Sequence, residues 1–194
     1  MFFASAAIQM ATREGFDITR HPISQLATGS AGWIQISTFV LAGLGALALA
    51  AGIRRTLPEG GGRRALSILV GIFGVGLIAS GLFPMDPENG FPVGTPDQPV
   101  AWMSWHSVAH SASAVVAYSA LAIAAITLTV RCVRRRAVLP AVLNGTTALV
   151  LVLPMSPEYM SLQIAMNGLV AFTWTTVLAL SCVARADLPY YPQP

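Results

Sequence analysis

The three histidines of this chain, His21, His106 and His110, fall in short polar stretches between long apolar runs. His106 and His110 stand four residues apart in WHSVAH. On a helix that spacing projects both rings from one face, about a turn apart, which is how a helical HxxxH pair chelates a metal. Asp86 in FPMDPENG and His21 in FDITRHPISQL are of the right types to complete a site for zinc or another divalent metal with three or four N/O donors. The metal candidates are therefore His106, His110, Asp86 and His21. The same residues admit a second chemistry, in which Asp86 fixes the tautomer of one imidazole and makes it a general base. Ser24 is then the nearest candidate nucleophile, although nothing around it marks it as activated, so the catalytic candidates are Asp86, His106, His110 and Ser24. The plainer alternative is structural: polar groups inside a helix bundle need partners, and histidines supply them to neighbouring helices, hydroxyls or water.

A wider set is suited to holding a ligand without transforming it: Asp17, His21, Ser24, Gln25, Asp86, His106 and His110, joined by Gln163 and Asn167. The last two also stand four apart, behind Glu158 in the loop SPEY. If their face meets the histidine face, the bundle has a polar cavity open at one end. The alternative is an amide clasp between two helices.

The elements that must position these residues are apolar runs. A bilayer crossing needs roughly 20 apolar residues, because a helix rises about 1.5 Å per residue across a core about 30 Å thick. Runs at about 33–53, 65–83, 105–130, 137–153 and 160–184 approach or meet that length, and residues 1–12 form a shorter apolar piece. None alternates every second residue, so helices rather than barrel strands are expected. With 55% hydrophobic and 10% charged residues, against about a quarter charged in soluble domains, lipid is the natural solvent. The expectation is one all-α transmembrane bundle over residues 1–194, with five full spans, a partial N-terminal helix and a flexible tail at 186–194.

Orientation follows from arginine, since the chain has no lysine. Arg54, Arg55, Arg63 and Arg64 flank one loop, Arg131, Arg134, Arg135 and Arg136 another, and Arg185 follows the last run; only Arg13 and Arg20 fall elsewhere. Strict alternation of spans puts all three clusters on one side, which the positive-inside rule makes cytoplasmic. Residues 13–32 and 84–104 are then extracytoplasmic in a multi-pass cell-membrane protein, with Trp33, Trp102 and Trp105 at the outer interface. The expected surroundings are the bilayer and a lipid or small-molecule ligand. Nucleic acid is not an expected partner, because the basic residues cap apolar runs instead of spreading over a soluble face. Cys132 and Cys182 lie near cytoplasmic ends, where a disulfide is disfavoured. No basic leader or small-residue cleavage site marks the first dozen residues as a secretory signal. Gly43, Gly45, Gly71, Gly74, Gly76 and Ser80 mark close helix contact, which small residues provide in lipid.

The run HPISQLATGSAGWIQISTFVLAGL, then GLFPMDP, then a histidine opening a helix, resembles the membrane family catalogued as domain of unknown function 998. The specific parts are His21-Pro22 through Gln25-Leu26, Gly32-Trp33, the Phe83-Pro84-x-Asp86 corner and His106. The resemblance runs from about Phe16 to the last span. It implies a small bacterial or archaeal protein of typically six helices, with a complete helix before HPISQL where this chain offers about a dozen residues. It brings no activity, cofactor or substrate. A looser likeness, to membrane hydrolases of the alkaline ceramidase and adiponectin-receptor type, rests on residue types alone; the order and helix placement differ.

Three functions remain. The first is a non-enzymatic protein whose outer polar pocket recognises a small molecule, lipid or partner protein. The second is a metal-dependent membrane hydrolase using Asp86, His106 and His110. The third is a proton-coupled transporter, disfavoured because the middle and inner parts of the spans carry no ionisable residue. No Walker or Rossmann motif supports nucleotide chemistry. The first asks least of the sequence.

Overall fold

A computed structural model describes residues 1–58 and 62–186. The described residues are helical, without a β-strand. In order they form α1 (Phe2–Thr12), a 3-10 turn (Ile23–Ala27), α2 (Gly32–Thr56), α3 (Arg63–Leu82), α4 (Trp105–Arg134), α5 (Val138–Val152), a second 3-10 turn (Pro157–Tyr159) and α6 (Met160–Ala186). Helices stop where the chain chemistry stops them. α3 ends two residues before Pro84, as α5 ends two before Pro154; a proline lacks the N–H a continuing helix needs and restricts the residue before it. Of the tail expected at 186–194, Ala186 ends α6 and residues 187–194 lie outside the described residues.

α2, α3, α4 and α6 with its preceding turn are each long and apolar enough to cross a bilayer. α5, with 15 residues, reaches only about 22 Å, and α1, with 11, about 16 Å. Among the described residues four helices thus have spanning length where the run lengths suggested five. Side chains such as Leu41, Ile68, Val115, Leu143 and Val177 are exposed on the helix flanks. That apolar exterior is the mark of a membrane protein rather than a water-soluble bundle.

Successive helices pack as antiparallel neighbours from α2 to α5, and α6 returns to lie against α2 and α5. α2 and α3 meet backbone to backbone: a Cβ on Gly43 would sit 2.5 Å from the Gly74 oxygen, and one on Gly74 2.8 Å from the Gly43 oxygen. Gly76 lets α4 approach, since a Cβ there would lie 2.6 Å from that of Ala117. Gly45 faces open space and Gly71 only grazes Ala50, so these two glycines are not contact points. Phe2 stacks on Phe172 at 4.5 Å and meets Phe39 edge-on at 5.3 Å, tying α1 to α6 and α2.

Candidate functional site

Loops and helix starts at one end of the bundle build a cap with a core of its own. Its centre is His21, 1% exposed, beside Phe91, also 1% exposed. The Asp17 N–H donates to His21 Nδ1 at 2.9 Å, and Nε2 stands 2.9 Å from the Asn89 carbonyl. An accepting Nδ1 and a donating Nε2–H define one neutral tautomer, with both nitrogens engaged. Phe16 and Phe91 flank the ring, each at 5.5 Å. Arg13 crosses the cap: its guanidinium lies 4.8 Å from the Phe91 centroid and donates to the carbonyls of Leu26 and Thr28, at 2.5 and 2.6 Å. Asp17 itself is exposed. Hydrogen bonds from the Thr19 hydroxyl and N–H hold its carboxyl below the ordinary value. Arg20 pairs with Asp97 at the surface, and its carbonyl accepts from the Ser161 hydroxyl of α6 at 3.1 Å.

Two further acidic residues, Asp86 and Glu88, brace the loop between α3 and α4. Asp86 Oδ2 accepts from the Ser104 N–H at 2.7 Å. Ser104 in turn caps α4, its hydroxyl accepting from the Ser107 N–H at 3.2 Å. Glu88 accepts from Gln25 Nε2 at 3.3 Å and from the Val100 N–H at 3.2 Å. Ser24 is buried and donates to the Met85 sulfur at 3.0 Å, with no base among its partners.

His110 is turned into the bundle. Its Nδ1 stands 2.7 Å from the Ser80 carbonyl and 3.0 Å from that of Phe83. In an uninterrupted helix the Ser80 carbonyl would accept from the N–H of residue 84, and residue 84 is a proline. The histidine of the next helix supplies the missing donor. His106 sits a turn outward, its ring tilted against Trp105 at 3.7 Å and near Phe83 at 6.1 Å, with its Nδ1 buried and, among the described residues, unpartnered. Both histidines thus gather at the Phe83 corner, as the four-residue spacing implies. Asp86 bonds neither of them, and among the described residues no three His, Cys, Asp or Glu side chains come together around a point that could hold a metal.

Beneath the cap lies a polar layer formed by glutamines. Gln9 of α1 donates from Nε2 to Gln35 Oε1 of α2 at 2.8 Å and toward Ser5 Oγ at 3.3 Å, while the Ser5 and Thr38 hydroxyls bond at 2.9 Å. Gln9, Gln25 and Gln35 are 3%, 0% and 0% exposed, yet Gln9 Oε1, Gln25 Oε1 and Gln35 Nε2 have no hydrogen-bond partner. Most buried polar atoms in folded proteins are paired, and leaving one unpaired costs about 1–3 kcal/mol. Two acceptors and a donor therefore stand ready on mutually packed elements, since the 3-10 turn bearing Gln25 rests on both α1 and α2.

Over residues 1–184 the chain matches the family described as protein of unknown function DUF998. It belongs to that family. Neither a curated protein nor a solved structure is matched.

In this DUF998 chain the expected segments do assemble at one end: His21, Gln25 and Ser24 bond the 85–89 loop, and Asp86 bonds the start of α4. Gln163 does not join them. Its amide accepts from the Ser156 N–H at 2.6 Å and reaches the Pro154 carbonyl at 3.4 Å, closing the α5–α6 turn. Asn167 is buried one turn on, and its side chain bonds none of these cap residues. The amide clasp between helices is made elsewhere, by Asn144, which accepts from Trp174 Nε1 at 2.7 Å. Gln9 and Gln35 were not among the residues singled out from the sequence. Their signal was present, a glutamine amid MFFASAAIQMAT and another amid WIQISTFV, and a polar amide inside an apolar run is itself grounds for suspicion.

Proposed function

We propose that this DUF998 protein is a non-enzymatic multi-pass protein of the cell membrane that binds a small polar molecule in the glutamine layer under its cap. The observation that carries the reading is the set of buried, unpartnered amide atoms on Gln9, Gln25 and Gln35. A molecule offering both a donor and an acceptor would complete them, and the cap residues His21, Gln25 and Glu88 would govern its entry. The hydrolase reading has less support: Asp86 is bonded to the Ser104 N–H and His110 Nδ1 to two carbonyls, so neither faces a shared reacting atom. The arginine clusters favour a cytoplasmic placement of the end opposite the cap, with α5 making a short fifth crossing.

The test is native mass spectrometry of the detergent-purified protein, followed by denaturation and identification of whatever small molecule is released. A stoichiometric polar compound in the parent, lost from Gln9→Leu/Gln35→Leu while that variant still folds, is the expected result. No compound in the parent, with the variant more stable by about 1–3 kcal/mol, would reduce the amides to an imperfect helix contact and end the proposal. Elemental analysis of the same samples tests the metal reading: one metal per chain, lost in His106→Ala/His110→Ala, would restore it.

A further inference from the structure

α2 and α6 meet along a seam. α1 covers the part nearer the cap, where Phe2 packs on Phe39 of α2 and stacks on Phe172 of α6. Past the first residues of α1 the seam opens into a groove of about 500 Å³, within the usual range of ligand sites. It runs along α2 from Leu41 to Leu49, about 12 Å, and along α6 from Phe172 to Ala179. Ala42, Gly45 and Ala46 keep its α2 wall low, and a Cβ on Gly45 would meet nothing within 4 Å. Phe73, 1% exposed, lies at the back, and the Phe2–Phe172 stack closes the end toward the cap. Leu41 and Val177 at the rim are each more than half exposed, so the long side opens toward the bilayer core.

We infer that this groove seats one acyl chain of a membrane phospholipid, held between α2 and α6 and stopped at its tip by the Phe2–Phe172 stack. The lining selects hydrocarbon. No Asp, Glu, Lys, Arg or His side chain borders the groove. The Thr175 and Thr176 hydroxyls donate back to the α6 carbonyls of Ala171 and Phe172, at 3.0 and 2.7 Å, while Thr173 stands exposed at the rim. A polar solute entering here would give up its hydration for few partners. Size decides against a helix from a second copy. Laid along the same 12 Å, a helix 10 Å across takes roughly 900 Å³, nearly twice the volume of the groove. A lipid chain is thin enough, arrives from the open side, and restores to Phe73 and Leu49 the dispersion contacts that a hollow denies them. The groove shares no residue with the glutamine layer, so either proposal can fail alone.

The full-length protein is reconstituted in phosphatidylcholine vesicles doped with a phosphatidylcholine that carries a diazirine near the tip of one acyl chain. After irradiation the cross-linked residues are mapped by mass spectrometry. Labelling of Leu41 and Leu49 should exceed that of Val115 and Leu143, lipid-facing residues at comparable depths on α4 and α5, roughly fivefold, the ratio given by about 1 kcal/mol of preference. Gly45→Leu fills the groove from α2 and Thr176→Phe fills it from α6; each should bring Leu41 and Leu49 down to the level of those flanks while melting as the parent does. In the control Gly52→Leu, where a Cβ also meets nothing within 4 Å but lies outside the groove, the enrichment should stay. Even labelling of groove and flanks in the parent would overturn the inference, leaving only the lipid that surrounds any membrane protein. So would enrichment that survives both filling variants. A parent dimer in native mass spectrometry that Gly45→Leu separates would also overturn it, giving the groove to a second copy.

Discussion

Pro84 deprives the Ser80 carbonyl of its helical donor, and His110 replaces that donor from the neighbouring helix, so two residues far apart in sequence act as one. Removing the imidazole in His110→Leu leaves the buried Ser80 carbonyl and the part-buried Phe83 carbonyl without it, and unfolding in detergent should show a loss of about 1–2 kcal/mol. In a Pro84→Ala background the N–H of residue 84 can serve Ser80 itself, and the loss should shrink. Equal losses in both backgrounds would mean that the histidine acts through packing alone. The sequence showed that His106 and His110 share a helix face, because that depends only on the helical repeat. It did not show what the face meets. Hydrogen-bond partners across helices are set by rotation and depth of packing, which no local pattern encodes, and so Asp86 was matched to an imidazole instead of the Ser104 N–H. The glutamine layer escaped for the same reason: Gln9 and Gln35 become a pair only when α1 lies on α2.

Helices were the most legible level, since hydropathy, arginines and prolines mark their ends without reference to any neighbour. The run at about 33–53 became Gly32–Thr56, and that at 105–130 became Trp105–Arg134. Less legible was which glycines carry the packing, because a glycine on the lipid side reads the same as one at a helix crossing. Their difference is measurable. Gly74→Ala forces a methyl group against the Gly43 oxygen and should destabilise the bundle by about 1–3 kcal/mol. Gly45→Ala, where a Cβ meets nothing within 4 Å, should be neutral or gain up to about 1 kcal/mol from helix propensity. Similar effects from both, read as thermal shifts, would dissolve the Gly43–Gly74 contact as the hinge of α2–α3 packing.

Taken whole, the molecule is polarised, with histidines and most acids at one end and most arginines at the other. That polarity makes a prediction about sidedness. In a Cys132→Ser/Cys182→Ser background, Ser30→Cys should react with a membrane-impermeant maleimide in intact cells, and Arg136→Cys only after permeabilisation; the reverse pattern would invert the assignment. The cap has one more consequence, in the order in which the chain is made. His21 meets Asn89 across 68 residues, and the Arg20 carbonyl meets Ser161 across 141. A ribosome threading this chain into the bilayer delivers the first cap segment long before its partners exist. Residues 13–31 must therefore wait at the membrane surface, their aromatic and cationic groups open, until α3 has crossed and α6 begins. During that interval the nascent protein has no cap, and whatever chaperones or insertion machinery attend it have a defined segment to shield.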